Sequence, residues 1–365
     1  MDQAPSPTLI TLADYERAAA EVLDAGPLSY IAGAAGDEIT LRDNLAAWQR
    51  LAIRPRMLVG VGRRDLSVEL LGARRPHPVL IAPTAFQRLA HPEAEIATAR
   101  AAAATDTIMC LSTLATTPPQ ALAEAVPDAP RWFQLYVFSD RGVSRELVSV
   151  AAAGGYEALV VTVDLPVYGV RERELRSGVH SSTADQVASA AAAGAAGAMT
   201  PAQYGALIDP QLNWSDLEQF VSDSPLPVLV KGILTAEDAR LAVERGVAGL
   251  IVSNHGGRQL DTVLSGADAL PGIVDEVGGE VDVLVDGGIR RGTDVLKALA
   301  LGARAVLIGR PVVSGLAVAG AAGAQRVIEI LLTELDNALA LAGAPRAQQL
   351  DRSFVTRAPW AGPAR

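Results

Sequence analysis

The sequence predicts a (β/α)8 barrel with an N-terminal helical extension and a long loop after the fourth strand. Three observations predict it. From residue 77 onward a short β-branched run recurs eight times, helix-like segments rich in Ala, Glu and Arg separate the runs, and every run ends in polar residues. No Gly-x-Gly-x-x-Gly follows the first run, which argues against a doubly wound open sheet.

Residues 1–76 precede the first strand. "LADYERAAAEVLD" has a helical pattern and a second helix is expected after "SYIAGAAGDEITLRDN", so this portion reads as a helical cap. The barrel is expected over 77–342. Its strands are "HPVLIAPT", "IMCLST", "RWFQLY", "ALVVTVD", "PVLVKG", "GLIVSNHG", "VDVLVDGG" and "AVLIGRP". Between them lie "PEAEIATARAAAA", "SRELVSVAAAGG", "TAEDARLAVERG" and "GTDVLKALALGA", several closing on a glycine suited to a left-handed cap. Residues 172–212 interrupt the unit after strand four with an Ala/Gly-rich stretch, expected to be a mobile loop over the site. The whole of 1–365 reads as one domain.

Half of the 365 residues are hydrophobic, enough for a large core, and the formal charge is −10. That charge argues against nucleic acid and against anionic membrane surfaces, leaving a small molecule as the expected partner. The one cysteine, Cys110, excludes an internal disulfide and multi-cysteine metal sites, and no metal is expected. "MDQAPSPTLI" lacks the basic-then-apolar pattern of a secretory signal, and the apolar runs at 187–199 and 312–324 are too short to span a membrane. A cytoplasmic location is therefore expected.

In such a barrel, catalytic groups sit at the carboxyl ends of the strands. The polar ends here are Thr84, Ser112, Gln134 with Tyr136, Thr162 with Asp164, Lys231, Ser253 with Asn254 and His255, Asp286, and Arg310. Packing alone would favour apolar residues at these positions, so the cluster reads as an active site. "DGGIRRGTD" (286–294) and "IGRP" (308–311) place glycine-flanked N–H groups and arginines where barrels commonly hold a phosphate. Asp164 is placed to orient the His255 ring, and Arg258 offers a fork for a carboxylate. A base beside a carboxylate anchor suits a hydroxy or amino acid. His77 and His91 read as structural, and His180 falls in the loop insert without an assignment.

With these residues assembled, the chain resembles the FMN-dependent α-hydroxy-acid oxidases and dehydrogenases, the relatives of glycolate oxidase, lactate oxidase and mandelate dehydrogenase. The resemblance runs over nearly the whole chain through "SYIAGAAGDEITL", "APTAFQRLAHPE", "FQLYV", "TVDLP", "LVKGILTAEDARLAV", "SNHGGRQLD", "DGGIRRGTDVLKALALGA" and "IGRPV". It implies bound FMN, with His255 as the active-site base and Asp164 as its partner. It further implies that Arg258 and Arg171 bind the substrate carboxylate and that Tyr30 and Tyr136 contact the substrate's polar groups. Thr84, Ala85, Ser112, Gln134, Thr162, Lys231 and Ser253 match positions lining the flavin, and Asp286, Gly288, Arg290, Gly309 and Arg310 match its ribityl and phosphate site. A homotetramer is also implied.

Two departures bear on the substrate. Leu114 stands where glycolate oxidases carry a tryptophan, and Val170 where many short-chain oxidases place a second arginine. Both favour a bulkier or aromatic 2-hydroxy acid of the mandelate type, oxidised to a 2-oxo acid with O2 reduced to H2O2. L-Lactate or another short-chain acid, or a dehydrogenase with a non-oxygen acceptor, is the alternative. A phosphate-binding isomerase or nucleotide dehydrogenase is a further alternative; the latter would need a nucleophilic cysteine, and Cys110 lies inside strand two. A non-catalytic scaffold is disfavoured by intact His255, Asp164, Arg171 and Arg258.

Overall fold

Residues 6–177 and 199–361 are described by the structure, a computed structural model. The eight expected runs form eight strands: β1 (Val79–Ile81), β2 (Met109–Leu111), β3 (Arg131–Leu135), β4 (Leu159–Thr162), β5 (Val228–Ile233), β6 (Gly249–Val252), β7 (Asp282–Asp286) and β8 (Ala305–Ile308). Each pairs in parallel with the next, and β8 returns to β1 to close the barrel. Strands covered on both faces need apolar residues at every position, which explains continuous runs in place of alternation. Every strand contributes to an inner cluster: Leu80, Cys110, Trp132, Val160, Leu229, Ile251, Leu284, and Ala305 with Leu307. Their neighbours along each strand pack against the surrounding helices. Burial in this cluster pushes the Cys110 thiol up, leaving it without thiolate character.

The N-terminal portion is helical only in its first part. Helices α1 (Leu12–Val22), α2 (Ala25–Ala32) and α3 (Ile39–Gln49) come first, α1 opening on a Thr11–Asp14 capping box. Helix α3 begins inside the segment after which it was expected. Helix α2 was not expected at all, since Gly26 and Pro27 mask its pattern, although proline is tolerated in a first turn. Beyond α3 the chain turns to strands. Leu51–Ile53 pairs antiparallel with Val355–Arg357 from the far end of the chain, and Val68–Leu70 forms a hairpin with Ala73–Arg75.

The described ends of the 172–212 segment are ordered, with helices Glu172–Ser177 and Pro201–Gly205 and a bridge from Ile208 to Phe138. The expectation of a mobile loop, and His180 with it, falls on 178–198, outside the described residues. After β8, helix Arg310–Ala342 is kinked at Ala319 and Gly320, the latter at φ 56°. A Cβ on Gly323 would stand 2.0 Å from the Gly315 carbonyl oxygen, so the two halves touch at glycine. This helix is long and apolar enough to cross a membrane, yet it packs against α1 and helices 94–104 and 292–300 as a core helix.

A fully buried carboxylate fixes the mouth. Glu95 Oε1 accepts from the N–H groups of Gln87 (3.2 Å) and Thr116 (3.0 Å). Its Oε2 accepts from the hydroxyls of Thr116 (2.7 Å) and Thr117 (2.9 Å) and from the Thr117 N–H (3.1 Å). It therefore ties the loop after β1 to the loop after β2. Removing it strands several buried donors, so Glu95→Ala should lose about 3 kcal/mol or more of stability and Glu95→Gln less. Urea unfolding followed by circular dichroism checks this, and an unchanged midpoint in Glu95→Ala refutes it.

Candidate active site

The loop after β6 carries His255 in a turn that few residues adopt. His255, Gly256 and Gly257 lie at φ 58°, 63° and 75°, a left-handed path that glycine follows freely and histidine seldom does. The turn is closed by the His255 N–H donating to Ser253 Oγ (3.0 Å) and the Gly257 N–H donating to Asn254 Oδ1 (3.1 Å). Held this way, His255 places Nδ1 2.7 Å from Asp164 Oδ1 and Nε2 3.2 Å from the Tyr136 hydroxyl. Asp164 gains its place because β5 has a register shift at Gly232, where φ is 111° and a Cβ would stand 2.6 Å from that of Asp164.

Electrostatics sort these groups. Burial, with Lys231 and Arg171 nearby, lowers the His255 imidazole below its ordinary value against the pull of Asp164, so the ring is neutral at neutral pH. Burial works against the Asp164 carboxylate, but His255 and Lys231 outweigh it and hold that group below the usual range. Burial also opposes charge on Lys231, yet Asp286 and Asp164 keep the ammonium above its ordinary value. A neutral imidazole backed by a carboxylate is equipped to accept a proton at Nε2. The Tyr136 phenol is pushed up by burial and by Asp164, and remains protonated.

Two arginines flank this base. Arg258 donates from Nη1 to the carbonyls of Tyr30 (2.6 Å) and Gly33 (2.9 Å), with its guanidinium 4.7 Å from the centre of the Tyr30 ring. Arg171 is buried, donates to the Arg258 carbonyl (3.0 Å) and Gln259 Oε1 (3.0 Å), and lies 4.0 Å over the Tyr168 ring. The Tyr168 hydroxyl bonds Arg171 and also donates to Glu174 Oε1 (3.0 Å). Tyr168 and Glu174 were not singled out in the sequence. The available signal was their three-residue spacing on either side of Arg171.

On the barrel axis, Lys231 Nζ donates to Ser253 Oγ (2.7 Å) and pairs with Asp286 Oδ2 (3.1 Å). Gln134 Oε1 accepts from the Ser112 hydroxyl (3.3 Å) and the Thr113 N–H (3.1 Å), which leaves its amide nitrogen without a partner. Thr162 Oγ1, Asp164 Oδ2 and Asp286 Oδ1 are likewise buried with no partner among the described residues. Past β8, Arg310 donates to the carbonyls of Ile31 (3.1 Å) and Gly33 (2.9 Å). Burial beside Arg258 and Arg290 draws its pKa down to about 9, the mark of a cation cluster awaiting an anion. Arg290 also faces the cleft, with Nη2 on Glu16 (2.7 Å) and a buried Nε left without a partner. At Gly288, φ is 80° and a Cβ would lie 1.9 Å from the Asn44 carbonyl oxygen.

These groups surround one cleft at the mouth of the barrel. Tyr30, Leu114, Tyr136, Arg171, His255 and Arg258 line one part of it; Thr84, Ala85, Ser112, Thr162, Lys231 and Asp286 another; Gly288, Arg290, Gly309 and Arg310 a third. Asp164, Gln134 and Ser253 stand behind this wall, each bonded to a group at the mouth or the ring of strand ends. Phe86, Leu165 and Tyr168 also line it and were not expected. Orphaned donors and acceptors around Lys231, beside unpaired guanidinium charge and a glycine-lined turn, fit a flavin mononucleotide: a heteroaromatic ring with hydrogen-bonding edges joined to a phosphate.

Comparison with known proteins agrees with this geometry. The family model described as FMN-dependent dehydrogenase matches residues 19–357. An L-lactate oxidase of Nostoc sp. is 48% identical, over 95% of this chain and 98% of that protein. The 2-hydroxyacid oxidase 1 of Homo sapiens is 43% identical, over 97% and 98% respectively. The crystal structure of a mandelate oxidase with (S)-4-hydroxymandelic acid superposes with a TM-score of 0.90 at 41% identity, covering 95% of this chain and 99% of that one. With the barrel, the polar cleft at its mouth and a match over nearly its full length, the chain belongs to the FMN-dependent dehydrogenase family.

Proposed function

We propose that this FMN-dependent 2-hydroxy-acid oxidase acts on a bulky or aromatic (S)-2-hydroxy acid of the mandelate type, with His255 as the base. The reaction converts one 2-hydroxy acid and one O2 into a 2-oxo acid and H2O2. The observation that carries the reading is the His255–Asp164 contact of 2.7 Å beside the buried Arg171 and the half-buried Arg258. Arg258 and Arg171 hold the carboxylate, since both retain donors beyond those used on carbonyls and side chains. Tyr30 and Tyr136 bind the remaining polar groups. His255 Nε2 takes a proton from the substrate, and Asp164 stabilises the imidazolium that results. Thr84, Ala85, Ser112, Gln134, Thr162, Lys231 and Ser253 would hold the ring of FMN and Asp286, Gly288, Arg290, Gly309 and Arg310 its ribityl phosphate, and the bound cofactor would supply the two-electron acceptor that the oxidation needs.

The substrate preference rests on an apolar corner. Leu114 lines the cleft, its carbonyl accepts from the Phe86 N–H (3.1 Å), and Phe86 packs edge-on against Tyr30 at 5.5 Å. The mandelate oxidases among the solved relatives support the same direction. A short-chain acid such as L-lactate is the second reading, favoured by the 48% identical L-lactate oxidase and by the space Tyr168 takes in the cleft. The acidic charge and the lone buried Cys110 support a cytoplasmic setting, and exposed Met57, Leu58 and Leu341 are compatible with the homotetramer that the family resemblance implies.

His255→Asn should retain FMN and bind a product-like 2-oxo acid, while anaerobic flavin reduction slows by about 10² or more in stopped flow. A limiting rate near wild type would remove His255 from the role of base. The neutral ring carries activity, and its pKa lies below the ordinary imidazole value. kcat/KM should therefore hold from neutrality downward and fall only as pH drops through a midpoint below about 6.5; a midpoint above 7 contradicts this. Leu114→Trp should shift the ratio of kcat/KM for (S)-mandelate over glycolate toward glycolate by about 10-fold or more, within the 1–3 kcal/mol that pocket volume supplies. A wild type that prefers glycolate by an order of magnitude overturns the substrate proposal.

A further inference from the structure

The strained turn that carries His255 is held from a helix outside the barrel. Asn44 of α3 is buried, as is Asn254, which immediately precedes His255. The two amides bond each other reciprocally, Asn44 Nδ2 donating to Asn254 Oδ1 (3.0 Å) and Asn254 Nδ2 donating to Asn44 Oδ1 (2.8 Å). Asn254 uses its remaining capacity on the turn itself. Its Oδ1 also accepts from the Gly257 N–H (3.1 Å), and its Nδ2 also donates to the Leu264 carbonyl (3.0 Å). The Asn254 amide thus closes the left-handed segment on one side and is gripped by Asn44 on the other.

One helical turn further along α3, Trp48 Nε1 donates to the Gly287 carbonyl (2.9 Å). The same face of α3 therefore reaches the loop after β6 and the loop after β7. Asn44 itself does not line the cleft. An amide that touches no reacting group, yet saturates the residue on which an unfavourable backbone path depends, acts on orientation.

We propose that Asn44 is a positioning residue, the Asn44–Asn254 amide pair fixing the turn so that His255 keeps Nδ1 on Asp164 and Nε2 toward the substrate. This rests on His255 being the base. Without Asn44, two hydrogen-bonding positions of Asn254 lose their partner and the turn gains alternatives with the ring misdirected. Neither Arg258 nor Arg171 is touched by the pair, so substrate affinity should be spared.

The test uses the FMN-loaded full chain and its Asn44→Ala, Asn254→Ala, double and His255→Asn variants, with L-lactate and (S)-mandelate as substrates. Asn44→Ala should lower the limiting rate of anaerobic flavin reduction by about 10- to 100-fold, the scale of a displaced catalytic group. The apparent substrate constant should stay within about twofold. Because the two asparagines act in series, the double variant should be no slower than the slower single one. Histidine-selective ¹⁵N NMR supplies a readout independent of turnover, with the His255 signal identified by its loss in His255→Asn. Wild type should show the tautomer protonated at Nδ1, and Asn44→Ala a mixture. If Asn44→Ala does not fold, Asn44→Ser, which keeps one donor and one acceptor, should show the same changes in smaller degree. A wild-type limiting rate and a wild-type His255 signal in Asn44→Ala or Asn44→Ser overturn the proposal, as does a loss explained wholly by a raised substrate constant. If instead His255→Asn reduces its flavin normally, the assignment of the base fails, and the NMR signal still decides whether Asn44 orients the ring.

Discussion

The site is organised around the end of α2, where one carbonyl serves two guanidinium groups. Gly33 accepts from Arg258 (2.9 Å) and from Arg310 (2.9 Å), while Tyr30 and Ile31 offer their carbonyls to the same two arginines. Two half-buried cations this close repel, and each has given up part of its water. The carboxyl end of a helix carries partial negative charge and acceptors without partners, so it suits both arginines without cancelling either charge. Gly33 has to be glycine, because a Cβ there would stand 2.4 Å from the Ser29 carbonyl oxygen. The helical extension is thereby part of the cleft's wall, and its docking fixes the position of both arginines that line it.

The barrel supplies what the extension cannot. Eight parallel strands end on one face, so groups far apart in sequence converge there with little flexible backbone between them and the core. Three special conformations stand at these ends: His255 in its left-handed turn, Gly232 making room for Asp164, and Gly288 against α3. The left-handed His255 costs some local stability, and its turn is held by the buried Asn44–Asn254 amide pair from α3. Glu95 does the same for the loops after β1 and β2, its partners among the described residues being backbone and hydroxyl donors.

Much of this was legible in the sequence because it is local. A strand buried on both faces must be apolar without interruption, so all eight were visible, and a polar residue at such a strand's end stands out whether or not its partner is known. His255, Asp164, Lys231 and Arg310 were found in this way. What stayed hidden is long-range pairing. Asn44 meets Asn254 across 210 positions and Glu95 meets Thr116 across 21, and neither leaves a periodic trace. Helix α2 was missed for a different reason, its eight residues including Gly26 and Pro27. The strands within 51–75 were missed because each has three residues, and one of them finds its partner at Val355–Arg357.

The same distinction separates reaction from specificity. Most of the titratable and charged groups of the cleft lie on strand ends and the turns just after them, where the barrel fixes position closely. The cleft-lining groups Leu114, Phe86, Leu165 and Tyr168 lie on loops beyond the strands. Tyr168 belongs to both sets, since its ring lies 4.0 Å below Arg171 while its hydroxyl bonds Glu174. Any change of size there moves the arginine as well as the wall. Leu114 carries no such link to a charged group, and its backbone is held by the Ser112 hydroxyl (3.1 Å) and the Phe86 N–H (3.1 Å). Volume at Leu114 can therefore vary without moving a charged group, whereas Tyr168 ties the shape of the cleft to the position of Arg171.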